Sequence, residues 1–551
     1  MKVLEQAKLV NRLIAGPAAS EQEALYVWAN SEVRVDVLKD IAASGQWRRL
    51  AELDGFFAGC HQKGNMLYLF CDRLGVWPLF YYADGDSVLV SPHPEEILAA
   101  HGEDLGPCVA GMVSLLLFGH HLSEETVLHG MRRCNGGETI VVNGQGEIEE
   151  RIVWRPRHVF QERSTTSPKE LSDQFVAGVR RILPDGGDVV IPLSGGYDSR
   201  CVLGAVLECV DASRIQVVTF GGPDTYDYRI SRLIARKIGA RNEVFSISED
   251  YYNTEWLRKR GLESGYTYSA YAGPPKEFMN YLFHAASRDV PTFFGAGGDA
   301  ITGSHLHSGD DGLRRCESWD DFAELLIQTR AYNPTATVCR LLGLDEKDVA
   351  GIVARGLDSS VVDGYDKPWQ FLDAWDIYVR GRMEVINLLP FDHGHWRCPH
   401  LDGGYFRMMS TQCYEEKYQQ NIYKRMASSR FRFLFGLPTK RRQGRSLAGS
   451  AVGNIIPSVR LQAARASTLI RRLLGVSADG AGRNFAKDEA FFGGAEGRRR
   501  LECAMDVLKG RGVWAGESGM SCEAILKNPL LASTLITLGY AFGNSVDAVR
   551  V

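Results

Sequence analysis

Residues 188–209, DVVIPLSGGYDSRCVLGAVLEC, constrain the fold of this chain more than any other stretch. The apolar run at 189–193 reads as a buried parallel strand, and residues 200–209, apolar at helical intervals, read as the helix that follows. Between them lie Ser194, Gly195, Gly196, Tyr197, Asp198 and Ser199. Two glycines let the backbone approach a charged ligand closely. Serine hydroxyls and successive amide N–H groups can donate to phosphate oxygens, and the helix N-terminus adds a favourable dipole. That geometry suits pyrophosphate; the plainer alternative is a glycine-rich turn that holds no ligand.

No GxxxxGK[ST] occurs in the chain, so no lysine is set among phosphates for transfer of a terminal phosphoryl group. The SGGYDS loop instead resembles the pyrophosphatase loop of ATP-cleaving synthetases that release AMP. The resemblance implies ATP as cofactor, held by Ser194, Gly195, Gly196, Asp198 and Ser199.

At 551 residues two domains are expected, and a net charge of −4 argues against a surface that coats nucleic acid. The 12 cysteines form no CxxC pair, which favours reduced thiols over a disulfide frame or a zinc knuckle. The N-terminus lacks the uninterrupted apolar core of a signal peptide, and apolar runs such as residues 109–118 are too short to span a bilayer. A cytoplasmic protein without a membrane partner is expected.

Residues 20–155 are rich in short strands, at 26–28, 66–70, 79–82, 87–90 and 139–142, separated by Gly, Asp and Asn turn signals, with a helix at 109–118. Within them, LDGFFA at 53–58 and DRLGVWPLFY at 72–81 resemble the glutamine-hydrolysing domain of the asparagine synthetase family, as does the CNGG turn at 134–137. The resemblance implies an Ntn-hydrolase-like αββα sandwich over residues 1–160. Those glutaminases use an N-terminal cysteine whose own α-amine serves as base. Here Lys2 follows Met1 and the first cysteine is Cys60, inside a predicted core segment, so the domain is expected to be degenerate and to make no ammonia. β-Lactam synthetases and lasso peptide cyclases carry the same domain without its cysteine.

A polar linker precedes Pro168, and residues 161–551 are expected to form an ATP-pyrophosphatase domain, a doubly wound parallel sheet with helical additions. A helix is predicted at 170–183, strands at 215–220 and 243–247, and between these strands an amphipathic helix at 226–238 with Ile230, Leu233, Ile234 and Ile238 on one face. The family resemblance places Val218, Thr219 and Phe220 in an adenine and ribose pocket, although sheet core serves equally for Val218. A fourth strand at 291–294 runs into GAGGD, where the resemblance implies a nucleotide-loop Gly297 and a magnesium-binding Asp299. Two carboxylates suit an ion that neutralises leaving pyrophosphate, and Asp198 and Asp299 are the candidate Mg²⁺ pair. At Ala296 the family commonly has Glu or Tyr, and alanine performs neither role.

Residues 317–419 read as largely helical, and HWRCPHLD at 395–402 resembles the family's ExRxPFLD segment. That register makes His395 a candidate general base, the alternative being a hydrogen-bonded histidine lining a helix junction. His393, His395 and His400 follow no closed-site zinc spacing. YKRM at 423–426 and LPTKRRQG at 437–444 resemble the run that ends the catalytic core, where a fixed cation stabilises developing charge; this register offers Arg442, with Lys440 as the other candidate. Beyond residue 446 the resemblance fades. Helices are predicted near 459–474, 501–509 and 530–542, packed on the synthetase domain, and the arginines at 471–472 and 498–500 read as solvated faces or a docking surface.

The resemblance implies a two-step reaction. A carboxylate attacks the α-phosphate of ATP, and an amine then displaces AMP to form an amide. Without a glutaminase cysteine the amine comes from the substrate or a second metabolite. The first expectation is macrolactam closure of a peptide, with a leader-binding protein and a protease as partners. The alternatives are a β-lactam-synthetase-like or small-acid or sugar-acid amidating synthetase, and a nucleotide-binding scaffold without catalysis.

Overall fold

The structure is a computed structural model that describes residues 2–5, 11–14 and 23–543, apart from 31, 84, 86, 102–104, 156–159, 161–162, 164–165, 224, 246–275, 287, 308–309, 359–364, 366, 383–384, 386–394, 443–444, 448–493 and 515–519. His393, Gln443, Gly444, the helix expected near 459–474 and the arginines at 471–472 lie outside the described residues.

The N-terminal region is built from β1 (Lys2–Glu5), β2 (Asn11–Ile14), β3 (Glu23–Ala29), α1 (Val35–Ser44), β4 (Phe57–Lys63), β5 (Met66–Cys71), β6 (Phe80–Ala83), β7 (Ser87–Ser91), α2 (Pro94–His101), α3 (Val109–Phe118), β8 (Arg132–Arg133), β9 (Glu138–Val142) and β10 (Ile148–Val153). These strands form a six-stranded sheet, order β1-β3-β4-β5-β9-β10, and a four-stranded sheet, order β2-β7-β6-β8. Side chains alternate across a strand, so each sheet presents one face to its partner sheet and one to helices. Cys60, Leu69 and Ile140 of the larger sheet meet Tyr81, Val88 and Val90 of the smaller. Leu25, Val27 and Phe57 turn the other way, onto Leu38 and Ile41 of α1, while Phe80 and Leu89 join Ile97, Met112 and Leu115 of α2 and α3. The layer order is thus α, β, β, α, as expected. Strand β4, six of whose seven residues are buried, shows no alternation because both its faces are covered.

The second region opens with α4 (Pro168–Ile182), whose start is written in S-P-K-E: Ser167 and Glu170 form a reciprocal capping box and Pro168 takes the first helical position. Then follow β11 (Val189–Pro192), α5 (Asp198–Leu207), β12 (Ile215–Phe220), α6 (Tyr226–Ile238), β13 (Arg241–Phe245), α7 (Lys276–Ala286), β14 (Thr292–Phe293) and α8 (Gly298–Ile301). Helices α9 (Trp319–Arg330), α10 (Thr335–Leu342), α11 (Glu346–Asp358) and α12 (Phe371–Trp375) lead to β15 (Trp396–Arg397). The chain continues through α13 (Gly403–Ser410), α14 (Tyr414–Lys417), α15 (Asn421–Arg430), α16 (Arg432–Phe435), α17 (Ala495–Gly510), α18 (Cys522–Leu526) and α19 (Pro529–Phe542).

The five strands form one parallel sheet, order β13-β12-β11-β14-β15, with Val190 opposite both Gln216 and Thr292. The path therefore leaves β11 in one direction and resumes at β14 on its other side. Beyond the carboxyl ends of β11 and β14 lies the crevice where a sheet of this order accommodates ligands. Two expectations change in detail. Helix α5 begins at Asp198, two residues before the predicted start, and α19 packs on the second region as expected, where Asn528 Nδ2 donates to Asn333 Oδ1 at 2.9 Å, but also beside α3 of the first. Arg498 pairs with Glu523 across 2.6 Å and Arg499 with Glu496 on the exposed side of the helix, whereas the side chain of Arg500, which also pairs with Glu496, is largely buried.

Candidate active site

The loop from β11 to α5 is tied internally. The Ser194 N–H donates to Ser199 Oγ (3.0 Å), the two hydroxyls are 3.1 Å apart, and the Gly196 N–H donates to Ser194 Oγ at 3.2 Å. Not every loop amide faces a ligand, as the sequence suggests: the Gly195 N–H donates to Asp227 Oδ1 at 2.7 Å. Asp227, buried in the first turn of α6, accepts Lys440 Nζ on its other oxygen at 2.6 Å, and the Lys440 N–H donates to the Gly195 carbonyl at 2.8 Å. One buried carboxylate thus joins the glycine loop to the basic segment 213 residues away.

The second loop, from β14 to α8, lies against the first. A Cβ on Gly298 would sit 2.6 Å from Asp198 Cγ, and one on Gly295 2.5 Å from the Ser199 nitrogen, so both positions require glycine for close approach. Gly297 takes φ +77° and rests on the Leu401 side chain. Asp299 follows in the first turn of α8, ion-paired to Arg441. Burial works against the Arg441 guanidinium, yet the carboxylates of Asp299 and Asp198 hold its pKa above the ordinary value. Two carboxylates on facing loops offer hard oxygen donors suited to magnesium, an ion commonly held by one or two carboxylates with phosphate oxygens completing the shell. Among the described residues no group of three or more His, Cys, Asp or Glu side chains forms an all-protein metal cage. Arg441 has to yield Asp299 for both carboxylates to serve.

Arg441 is itself held. Its Nη1 donates to Gln420 Oε1 at 3.0 Å, and Gln420 Nε2 donates to Thr302 Oγ1 at 2.6 Å, just beyond α8. Gln420 is buried and takes φ 61°, beside Gln419 at φ 50°. Lys424, half-buried on α15, has its pKa lowered by burial and by the Arg441 and Arg442 charges. Arg200, fully buried on α5, donates to the carbonyls of Leu434 (3.0 Å), Leu437 (3.2 Å) and Pro438 (2.7 Å), anchoring the segment that leads to Lys440.

The sequence-predicted residues divide accordingly. Ser194, Gly195, Gly196, Asp198, Ser199, Gly297, Asp299 and Lys440 converge on this crevice. Thr219 donates to the Leu193 carbonyl at 2.7 Å and the Val218 carbonyl accepts the Leu193 N–H at 2.9 Å. Val218 is core, and the Phe220 ring packs on Phe278. Arg442 turns aside, donating to the Ser446 carbonyl at 2.6 Å; Arg441 occupies the place beside the acidic pair. His395 is a correction. Its carbonyl accepts the Thr292 N–H at 3.0 Å and its ring faces Asp289 at 3.4 Å, at the amino ends of β14 and β15, the opposite edge of the sheet from the glycine loop. Residues that precede a parallel strand cannot reach the crevice beyond its carboxyl end. His400 is buried against Tyr423, its pKa pushed down to about 3 by burial.

Sequence reasoning missed Asp227, Arg200, Gln420 and Arg441. Only Asp227 left a local sign, an acid just behind the Thr225 cap of the helix that follows the second strand.

Fold and site together define an α/β protein with a glycine-rich loop and an acidic loop at the switch point of a parallel sheet. The chain is similar to a Methanocaldococcus jannaschii protein named "Putative asparagine synthetase (glutamine-hydrolyzing) 2", at 23% identity over 276 residues. The match takes in 46% of this chain and spans half the length of that relative. No family model matches. Among solved structures, a glutamine-dependent NAD⁺ synthetase from Acinetobacter baumannii in complex with ADP aligns over 48% of this chain and 63% of its own, at 14% identity and a TM-score of 0.18. The glutamine phosphoribosylpyrophosphate amidotransferase of B. subtilis aligns over 51% and 57%, at 12% identity and a TM-score of 0.16. At those scores the fold assignment rests on the strand order above. No described helix is long and apolar enough to cross a membrane.

Proposed function

We propose that the protein uses ATP to form an amide bond through an acyl-adenylate, releasing pyrophosphate and AMP, and that its substrate is a peptide whose own amine closes a macrolactam, as in lasso peptide cyclases. The observation that supports this most is the contact of Asp198 with Gly298, which sets the glycine loop against the acidic loop beneath the Lys440 segment. In this reading the hydroxyls of Ser194 and Ser199 and the N-terminus of α5 receive the β- and γ-phosphates. Asp198 and Asp299 would hold Mg²⁺, which when bound neutralises charge on the departing pyrophosphate. Lys440, fixed by Asp227, and Arg441 supply standing positive charge where negative charge develops, so little reorganisation accompanies the reaction. Holding carboxylate and amine together makes the second step effectively unimolecular.

Cys60 favours an amine that does not come from glutamine. It lies buried between the two sheets, with its thiol pushed up to about 12 by burial, so it is not a nucleophile near neutral pH. The cytoplasm, and partnership with a leader-binding protein and a protease, belong to the same proposal.

Exchange of labelled pyrophosphate into ATP tests it. A cyclase exchanges only with a peptide bearing an acidic side chain, an amidating synthetase with a small acid, and a scaffold with neither. Asp198→Ala should abolish exchange; exchange that survives the substitution would remove the site assignment.

A further inference from the structure

Two motifs of the first region, Asp54-Gly55-Phe56 and Asp72-Arg73, lie outside the crevice described above. Both meet one short segment of the second region, residues 396–403. Arg73 Nη1 donates to the Leu401 carbonyl at 3.0 Å, and its other arm reaches the Ala51 and Leu53 carbonyls at 3.3 and 3.4 Å. The planar guanidinium, 3.8 Å from Asp54 and 5.3 Å above the Phe406 ring, is thereby fixed in orientation. Asp54 Oδ1 accepts the Gly403 N–H at 2.8 Å. At the other end of the segment Asn30 Nδ2 donates to the Trp396 carbonyl at 3.2 Å, and Glu32 pairs with Arg397 across 3.2 Å.

What the segment touches on its far side is the acidic loop. The Arg397 carbonyl accepts the Phe294 N–H at 2.8 Å, which sets the end of β14. The Leu401 side chain lies where a Cβ on Gly297 would fall, 2.8 Å away. Gly297 caps α8 and Asp299 stands in the first turn of that helix. Asn30, Glu32, Asp54 and Arg73 of the first region therefore grip a segment that directly supports the loop carrying Asp299.

We infer that the first region is a positioning clamp for the acidic loop: Arg73 and Asp54 fix residues 401–403, and through Leu401 fix Gly297 and hence Asp299. Arg73 is a positioning residue, acting through Leu401; its relevance to catalysis rests on the proposed role of Asp299 in nucleotide binding, whereas its mechanical role does not.

Two readouts separate these. In the full-length chain without ligand, amide hydrogen exchange at residues 294–301 should quicken at least tenfold in Arg73→Met. It should quicken less in Arg73→Lys, which retains one donor for the Leu401 carbonyl, and in Asp54→Asn, which retains an acceptor for the Gly403 N–H. Arg151→Met, which breaks the ion pairs to Glu124 and Glu138 inside the same region, is the control for destabilisation alone and should leave 294–301 unchanged. Unaltered exchange at 294–301 in folded Arg73→Met overturns the clamp. So does equal acceleration in Arg151→Met. The second readout is Mg²⁺-dependent ATP affinity by calorimetry, which should weaken about tenfold in Arg73→Met and stay unchanged in Arg151→Met. Faster exchange with no ATP binding even in the unsubstituted protein would uphold the clamp and refute the proposed function.

Discussion

Gly298→Ala puts the contact between the two loops to a direct test. The added Cβ would lie 2.6 to 2.7 Å from the Cγ, Cβ and Oδ1 of Asp198, where ordinary contact begins near 3.4 Å, so the whole Asp198 side chain, Cβ included, must retreat by nearly 1 Å. Overpacking of this kind costs about 1–3 kcal/mol. Gly298 is the first residue of the four-residue α8, where alanine gains little over glycine, so a net loss of about 1–3 kcal/mol remains, which a protein of this size tolerates. Displacing a reacting group by 1 Å, by contrast, costs on the order of 100-fold in rate. The variant should therefore unfold in urea close to the unsubstituted midpoint while its pyrophosphate exchange falls about 100-fold at fixed Mg²⁺·ATP. Exchange within threefold of the unsubstituted protein, in a variant shown to be folded, would mean that Asp198 has no part in the chemistry.

Three further outcomes follow from buried charges. Burial raises the carboxyl of Glu32 from 4.5 to about 7 despite the neighbouring Arg397, so the folded state binds the extra proton between those values and stability falls as pH rises through them. Urea unfolding at pH 4.5 and pH 8 should show Glu32→Gln relieved of a pH-dependent loss on the order of 3 kcal/mol, and parallel pH profiles for the two proteins would refute the assignment. Arg200→Met leaves three carbonyls of residues 434–438 without their donor and should cost about 2–4 kcal/mol by chemical denaturation; a loss below 0.5 kcal/mol would show that the anchor is dispensable. Asp227→Ala frees both the Gly195 N–H and Lys440, and calorimetry should find ATP affinity weaker by about tenfold, an unchanged affinity arguing that the staple is incidental.

What the sequence revealed, and what it withheld, follows from how each residue acts. Strand β11 is a continuous apolar run, and β12 is apolar apart from Gln216 and Thr219, because their faces are covered, and the loop between β11 and α5 advertises itself through glycines and hydroxyls that its neighbours in sequence explain. Strand β14, short as it is, is legible at 291–294 because an apolar run leads into a glycine-rich turn, whereas β15, two residues long and beneath any periodicity, is defined only by its pairing with β14. His395 illustrates the cost of that: a motif register gives adjacency along the chain, whereas function depends on which end of the strand a residue occupies. Successive residues in the turn at 440–442 point different ways, so the register drew attention to Arg442 while the fold presents Arg441 to Asp299. Asp227 and Gln420 earn their roles only through partners hundreds of positions or a whole helix away.

The consecutive left-handed glutamines carry a consequence for engineering. Each such backbone costs about 1–3 kcal/mol in a residue with a side chain. At position 419 that side chain makes only a long 3.4 Å contact with the Tyr418 hydroxyl, so glycine there should release the torsion and toughen the protein without touching its chemistry. At position 420 the same exchange would sever the amide that steadies Arg441, so of the two neighbours only position 419 can be relaxed with the site intact.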